Sequence, residues 1–402
     1  MARHLPVLCT ALAAALLLSV PTLAQKKYDP GASDTEIKIG QTMSYSGPTS
    51  VAGAEGMLER AFFDEVNANG GINGRKVNFI SVDDGYSPPR TVELTRQLVE
   101  SDRVLFMFGQ LGTPTNAAVQ KYLNARKVPQ VFVVTGGTRF ADPKNSPWTI
   151  GWMPTYRSEG VLDGRYVRES MPNAKIAILS QDDDLGRDYV SGFKDGLGDA
   201  QSRIVKELSF QTTDPTIDSQ ILALKGSGAD TLFFATTQKA AAQGLRLAHD
   251  SGWKPTIFLA STSASVQSVF TPVGLDKVQG VITAQFLKDP ADPTWKDDPG
   301  VQDYLAWTRK HVPNLDYADA GQLEAYMMSR IIVQVLKDCG DELTRACVMK
   351  GVTNLKDVSA PLLLPGITAS TTPDDYNVIA QKRLVKLQGS SWVPLSDIMS
   401  SR

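Results

Sequence analysis

Strand-like and helix-like runs alternate along this chain, twice over, and that alternation restricts the fold more than any other feature. "EIKIGQTMS" reads as a strand, "GMLERAFFDEVNANGG" as an amphipathic helix stopped by a glycine pair, and "KVNFISVDD" as a second strand. "PPRTVELTRQLVES" opens with prolines where a helix tolerates them, "RVLFMFG" returns to strand, "TNAAVQKYLNARK" to helix and "PQVFVVTGG" to strand. After the aromatic, turn-rich "DPKNSPWTIGWMPTYRSEG" the rhythm restarts. Helices "GVLDGRYVRESM", "GRDYVSGFKDGLGDA", "PTIDSQILALKGSG" and "KAAAQGLRLAHDSGW" alternate with strands "AKIAILSQ", "IVKELSF", "DTLFFATT" and "TIFLAS". Units of this kind form parallel, doubly wound sheets with helices on both faces, so the fold class is α/β with two similar lobes. A length of 402 residues is too great for one typical core and suits two. From about Val281 the rhythm weakens into "VITAQFLKD", helices around "VQDYLAWTRKHV" and "GQLEAYMMSRIIVQVLKD", and a strand at "RLVKLQG". Such a tail is expected to add helices and an edge strand while crossing between the lobes, and several crossings make a hinge.

The first residues, "MARHLPVLCTALAAALLLSVPTLAQ", carry a basic start at Arg3, an apolar stretch from Leu5 to Val20, Pro21, and the small residues Thr22 and Ala24. That is the pattern of a secretory signal over residues 1–24, with cleavage expected after Ala24 and a periplasmic product that does not itself span the membrane. Cys9 precedes the cleavage point, so no lipid-modified mature terminus is expected. Export permits a disulfide between Cys339 and Cys347 in "DCGDELTRAC"; two unpaired thiols at a helical corner remain the alternative, because spacing does not give side-chain direction. With 41 basic and 43 acidic residues the chain shows no basic excess that would mark a nucleic-acid partner.

Little in the inventory supports catalysis. Beyond the leader only His249 and His311 remain, and neither has a partner at metal-type spacing, so both read as helix-face residues and no metal is expected. There is no G-x-S-x-G elbow, no Walker loop and no G-x-G-x-x-G after a strand. A hydrolase would need a nucleophile and base that are not found, and no cofactor is expected.

The junctions after the strands are more informative. "SYSGPTSVAG", "GQLGTPTN" and "VTGGTRF" follow strands of the first lobe, and "SQDDDLG", "ATTQK" and "ASTSAS" follow strands of the second. Taken singly, each is explained by a turn and a helix cap. Converging at the carboxyl ends of two sheets, where open α/β proteins bind ligands, they suggest a cleft lined by small polar groups. Ser46, Gln110, Thr113 and Thr237 are candidate contacts on this ground. Asp183 or Asp184, although placed to cap a helix, would meet a ligand's positive group.

These residues also resemble a known family: the periplasmic substrate-binding proteins of ABC importers, of the branched-chain amino acid (leucine-binding protein-like) type. The resemblance runs through "EIKIGQTMSYSGP", "EVNANGGINGRKV", "VDDGYSPPRTVELTRQLV", "KVPQVFV", "GWKPTIFLAS", "LKDPADPTWKDDPGV" and "LPGI". It implies the type I periplasmic binding protein fold, two Rossmann-like lobes joined by a three-crossover hinge. The first lobe would comprise residues 36–154 plus 285–365 and the second 155–284 plus 366–402. It further implies a monomer that traps a small molecule and hands it to membrane permease subunits driven by separate ATPases.

Carried onto this sequence, the family's carboxylate seat falls on Gly112, where only the backbone amide is available, with Thr113 beside it and Thr138 as second contact. Gly136 matches the carbonyl that receives the ligand's ammonium. The second-lobe glutamate of the amino acid binders is replaced by Thr262 or Ser263, and a buried ammonium without a counter-charge costs several kcal/mol. Another acid, among Asp183, Asp184 and Glu324, must then substitute, or the ligand has no ammonium. The family's wall tyrosines become Ala52 and Leu185, widening an apolar site. Its first-lobe cysteine pair falls on Tyr86 and Leu111, so that bridge is absent. Trp152 and Tyr156, near the first crossover, are read as hinge core or as stacking surfaces for a ring. A carboxylate-bearing ligand, amino acid or aliphatic or aromatic acid, is therefore expected; a periplasmic sensor or accessory subunit signalling to a membrane receptor is the alternative use of the same fold.

Overall fold

The computed structural model describes residues 1, 26–315 and 320–401, so the expected leader beyond Met1 and its cleavage point lie outside the described residues. In the first lobe the strands Glu36–Met43, Lys76–Asp83, Phe106–Phe108, Gln130–Val133 and Thr149–Gly151 pair in parallel, in the spatial order second, first, third, fourth, fifth. The second lobe repeats that order with Ile176–Gln181, Ile204–Phe210, Thr231–Ala235, Thr256–Leu259 and Ile282–Gln285. The two carboxyl edges thus offer matching sets of loops, one of the few places where a doubly wound sheet leaves strand-end polar groups open.

Two elements differ from the sequence expectation. Thr149–Gly151 lies inside the stretch read as a turn-rich connection; three residues are too few to display a period of two. The strand Gln381–Gln388, expected at an edge, is internal: it runs antiparallel to Ile282–Gln285 on one side and to Ser391–Pro394 on the other. Gly389, with φ of 62°, turns the chain back so that Ser391 faces Gln388 and a further strand covers the exposed ladder.

Burial follows the apolar runs. In the first lobe Phe63, Phe108, Phe132 and Trp152 form a chain of ring contacts 5.4–6.4 Å apart, closed over by Leu323, Met327 and Ile331 of the helix Ala320–Cys339. Trp152 is wholly buried in this row and presents no face to a ligand. Ile367, Ala369, Tyr376, Val378 and Ile379 belong to the same core, whereas the resemblance implies that residues 366–402 belong to the second lobe. The chain changes lobes between Trp152 and Tyr156, between Ala284 and Phe286, and between Ile379 and Leu384. Cys339, at the end of the long helix, is bridged to Cys347 with Cα atoms 6.0 Å apart.

The second lobe is anchored by two helices in backbone contact. Gly160 and Gly164 of Tyr156–Ser170 face Gly192 and Gly196 of Asp184–Leu197, and a Cβ on any of the four would collide with main-chain atoms of the opposite helix. Spacing of four residues puts each pair on one face, and only hydrogen fits between the backbones. Gly192→Val should therefore destabilise the protein by about 2 kcal/mol or more through overpacking, measured as a lower urea midpoint. An unchanged midpoint would contradict the close approach.

Candidate ligand-binding cleft

Between the two carboxyl edges lies a cavity of about 360 Å³, walled by residues of both lobes and closed largely by apolar side chains. On the first-lobe side, the loop after Glu36–Met43 is organised by the strand-end acid Asp83. Its carboxylate accepts from the Tyr45, Ser46 and Gly85 amides at 3.0–3.2 Å and from the Ser46 hydroxyl at 2.7 Å. Burial works against this charge, but the Ser46 hydroxyl and the three amides outweigh it and hold the Asp83 carboxyl below the ordinary range. The neighbouring Asp84 receives the Thr91 hydroxyl and the Tyr86 amide. The paired aspartates at the strand end are thus scaffold for two cleft loops, which present Thr49, Val51, Ala52 and Tyr86 to the cavity.

Tyr86 has φ of 59° and lies over Gly112, where a Cβ would meet the ring at 2.5 Å and the Thr115 hydroxyl at 2.7 Å. Gly112 itself has φ of 98°, which together with that ring explains why no side chain stands there. Its N–H donates to the Val134 carbonyl at 3.2 Å and is spent on the sheet edge. The next amide, that of Thr113, is the first of the helix Thr113–Ala125 and has no acceptor within the helix. The Thr113 hydroxyl pairs with that of Thr135 at 2.7 Å, and both face the Tyr156 phenol. Burial pushes that phenol up to about 12, against the lowering pull of Thr135, Gly136 and Thr113, so it enters the cleft as a neutral hydroxyl. Tyr156 stacks on Tyr189 with centroids 4.6 Å apart.

The second lobe supplies Leu185, Thr237, Gln238, Lys239 and the segment from Ser261 to Ser268. The Thr237 hydroxyl donates to Gln181 at 3.1 Å, and those of Thr262 and Ser263 to the Thr236 carbonyl at 3.1 and 2.7 Å. Three carboxylates also line the cavity: Glu55, Asp289 and Glu324, all buried. Asp289 accepts from the Trp392 indole at 3.0 Å and the Ala291 amide at 2.9 Å. Glu55 and Glu324 share one first-lobe wall, Glu55 lying against Gly321 a turn before Glu324.

Of the residues singled out from sequence, the structure brings Ala52, Gly112, Thr113, Leu185, Thr237 and Thr262 to the cavity, with Glu324 beside them. Ser46, Gln110, Gly136, Thr138 and Asp183 are not among the lining residues, and each has other work. Ser46 holds Asp83. Buried Gln110 donates to the Thr42 hydroxyl at 2.8 Å inside the sheet. The Gly136 carbonyl receives the Tyr156 amide at 2.7 Å. Thr138 is exposed and its N–H donates to Asp188 of the second lobe at 2.7 Å, while Asp183 caps its helix through the Gly186 amide at 3.2 Å. Glu55, Asp289, Lys239, Tyr86 and Phe286 were not singled out as contacts from sequence. Glu55 and Lys239 sit on helices, where nothing in the local pattern marks a residue that meets a cavity between lobes.

The lobes touch directly. Arg139 forms an ion pair with Asp184 at 3.1 Å, Thr138 reaches Asp188, and buried Tyr86 meets Gln181 and the Asp183 charge; burial first, then Asp183, raises its phenol well above the usual range. No group of three or more His, Cys, Asp or Glu side chains arranged to hold a metal occurs among the described residues, and no described helix is long and apolar enough to cross a membrane.

Two matched α/β lobes around an interlobe cavity define a protein that takes a small guest between domains. More particularly, residues 36–390 match the family described as periplasmic binding protein, and the chain belongs to that family. It is 23% identical over 335 residues to Leu/Ile/Val-binding protein homolog 7 of Brucella abortus (strain 2308), spanning 80% of this chain and 81% of that protein. Its fold is similar to that of a branched-chain amino acid ABC transporter protein from Thermus thermophilus with bound valine, with a TM-score of 0.80 at 17% identity over 92% of this chain and 98% of that one. It is also similar to a solute-binding protein from R. palustris in complex with benzoate, with a TM-score of 0.76 at 16% identity over 91% and 98% of the two chains.

Gly112→Ala should cost about 1–3 kcal/mol, through the positive φ and the Tyr86 ring, read as a lower denaturation midpoint. Arg139→Ala should weaken capture of any guest only modestly, by less than about five-fold in Kd, since exposed pairs contribute 0.2–1 kcal/mol. A hundred-fold loss in titration calorimetry would show that the pair does more than hold the lobes together.

Proposed function

We propose that this chain is the extracytoplasmic solute-binding component of an ABC importer, closing on a small carboxylate-bearing ligand with an apolar body and delivering it to a membrane permease. The observation that carries the reading is the interlobe cavity itself: about 360 Å³, mostly apolar, with polar groups entering from strand ends of both lobes. The carboxylate end has a ready donor in the Thr113 amide at a helix start, and Lys239 supplies a cation from the opposite wall. Glu55 and Glu324 on the shared wall favour a ligand that also carries an amine, which points within this class to an amino acid with a large apolar side chain. The Cys339–Cys347 bridge suits an exported, oxidising setting. Similar proteins add support in kind: a Leu/Ile/Val-binding protein homolog, a branched-chain amino acid transporter protein with bound valine and a solute-binding protein in complex with benzoate.

A thermal-shift screen of the purified mature protein against apolar amino acids, aromatic acids, dicarboxylates and their amides tests this. A true ligand at a hundred times its Kd adds ~2.7 kcal/mol and raises Tm by several degrees. Apolar amino acids should stabilise most and their amides least. If no carboxylate raises Tm and a neutral compound does, the ligand class is wrong.

A further inference from the structure

Behind the cleft, and lining no part of it, lies Glu159 in the first turn of the helix Tyr156–Ser170, only 2% exposed. Three donors converge on its carboxylate: the Ser261 amide at 2.8 Å, the Ser261 hydroxyl at 2.7 Å and the Tyr189 phenol at 3.1 Å. A carboxyl group that receives three donors and gives none is used as an anion, and an anion at this depth needs a counter-charge. Lys382 supplies it. This residue, 3% exposed, stands on Gln381–Gln388 just after the third interlobe crossing, and its Nζ donates to the Thr155 carbonyl at 3.3 Å and to the Ser158 hydroxyl at the end of the first crossing.

The other titratable groups facing this carboxylate are Asp163 on the same helix, and Tyr189 with Tyr156 behind it. Burial, then the Glu159 charge, holds the Asp163 carboxyl well above its ordinary range, so of the two acids it is the one that keeps its proton. Burial pushes Glu159 up, and Lys382, the two Ser261 donors and Tyr189 draw it back. Burial lowers Lys382 to about 8 against the pull of both acids.

Ser261 begins the second-lobe segment that brings Thr262, Ala264, Ser265 and Ser268 to the cavity wall. We propose that Glu159 is a positioning residue for ligand capture: its carboxylate fixes Ser261, and with it the ligand-facing segment 261–268, while Lys382, donating to Thr155 and Ser158, holds the start of the same helix to the strand at the third crossing of the hinge. The glycine contacts between Tyr156–Ser170 and Asp184–Leu197 hold the helix that carries it. The start of one helix thereby joins the strand Gln381–Gln388 to the shape of the second-lobe wall. The relevance to capture rests on the ligand reading above; the positioning itself does not, and the test separates the two.

Amide exchange is measured on the full mature chain by mass spectrometry, with L-leucine and benzoate as binding probes. Glu159→Gln turns an N–H₂ toward one of the three donors, and should raise exchange across 261–268 by about ten-fold or more while the first lobe stays as in the parent protein. Lys382→Met, which removes the donor to Thr155 and Ser158, should raise exchange in the same segment at neutral pH, and unchanged exchange there would remove Lys382 from the proposal. Glu159→Gln and Ser261→Ala should be non-additive for whichever probe binds. If neither probe binds the parent protein, the ligand class fails and the exchange comparison still decides the positioning. Exchange at 261–268 unchanged in Glu159→Gln, or raised uniformly over the whole second lobe, would overturn the proposal. Should that variant not fold, Tyr189→Phe, which removes one donor and keeps the ring stack, must raise exchange in the same segment by about three-fold, and its failure to do so overturns the proposal equally.

Discussion

A parallel sheet satisfies its backbone along the strands and leaves the question of polar groups to the strand ends. In this protein two such sheets, built in the same order, point those ends at one another, and every feature of the cleft descends from that arrangement. The loops there must both complete their own hydrogen bonding and leave room for a guest. They manage the first through short side chains at close range: Asp83 gathers three amides, Thr236 gathers two hydroxyls, and the Thr113 and Thr135 hydroxyls pair with each other. What remains open to a guest is what these local demands do not use.

That ordering explains which parts of the molecule were legible in the residues. The alternation of apolar strands with amphipathic helices is a property of each segment's own burial, so the two lobes and the cleft between them could be read directly. The small polar loops could be placed at the sheet edge for the same reason. Their individual roles could not, because a serine that holds an aspartate and a serine that holds a ligand look identical in a sequence. Ser46 and Thr138 serve aspartates, while Thr237 and Thr262 complete second-lobe hydrogen bonds and also line the cavity. The strand-end aspartates Asp83 and Asp84 build the loops. Glu55 carried no signal of its own: it lies on a helix face that becomes interior only when the tail returns with Gly321 and Glu324.

The tail itself was the least legible region. Its strand Gln381–Gln388 has the alternating pattern of a half-covered edge, yet Ser391–Pro394 folds back to cover it. Residues 366–379 pack into the first core although they follow the last helix of that lobe by a long irregular stretch. Both outcomes depend on long-range closure, which local periodicity does not encode. The bridged cysteines belong to the same region and were open to two readings until their side-chain directions were known.

The direct ties between the lobes include a buried one, at Tyr86, and two that stand in water. An exposed Arg139–Asp184 pair and one amide on Asp188 are weak fastenings in water. Ties of that exposed kind contribute little to holding the halves shut. A guest that fills the apolar walls adds to the closed form what the water-exposed ties do not, and a poorly fitting molecule adds less of it. Selectivity then resides in how long a guest stays rather than in how fast it arrives.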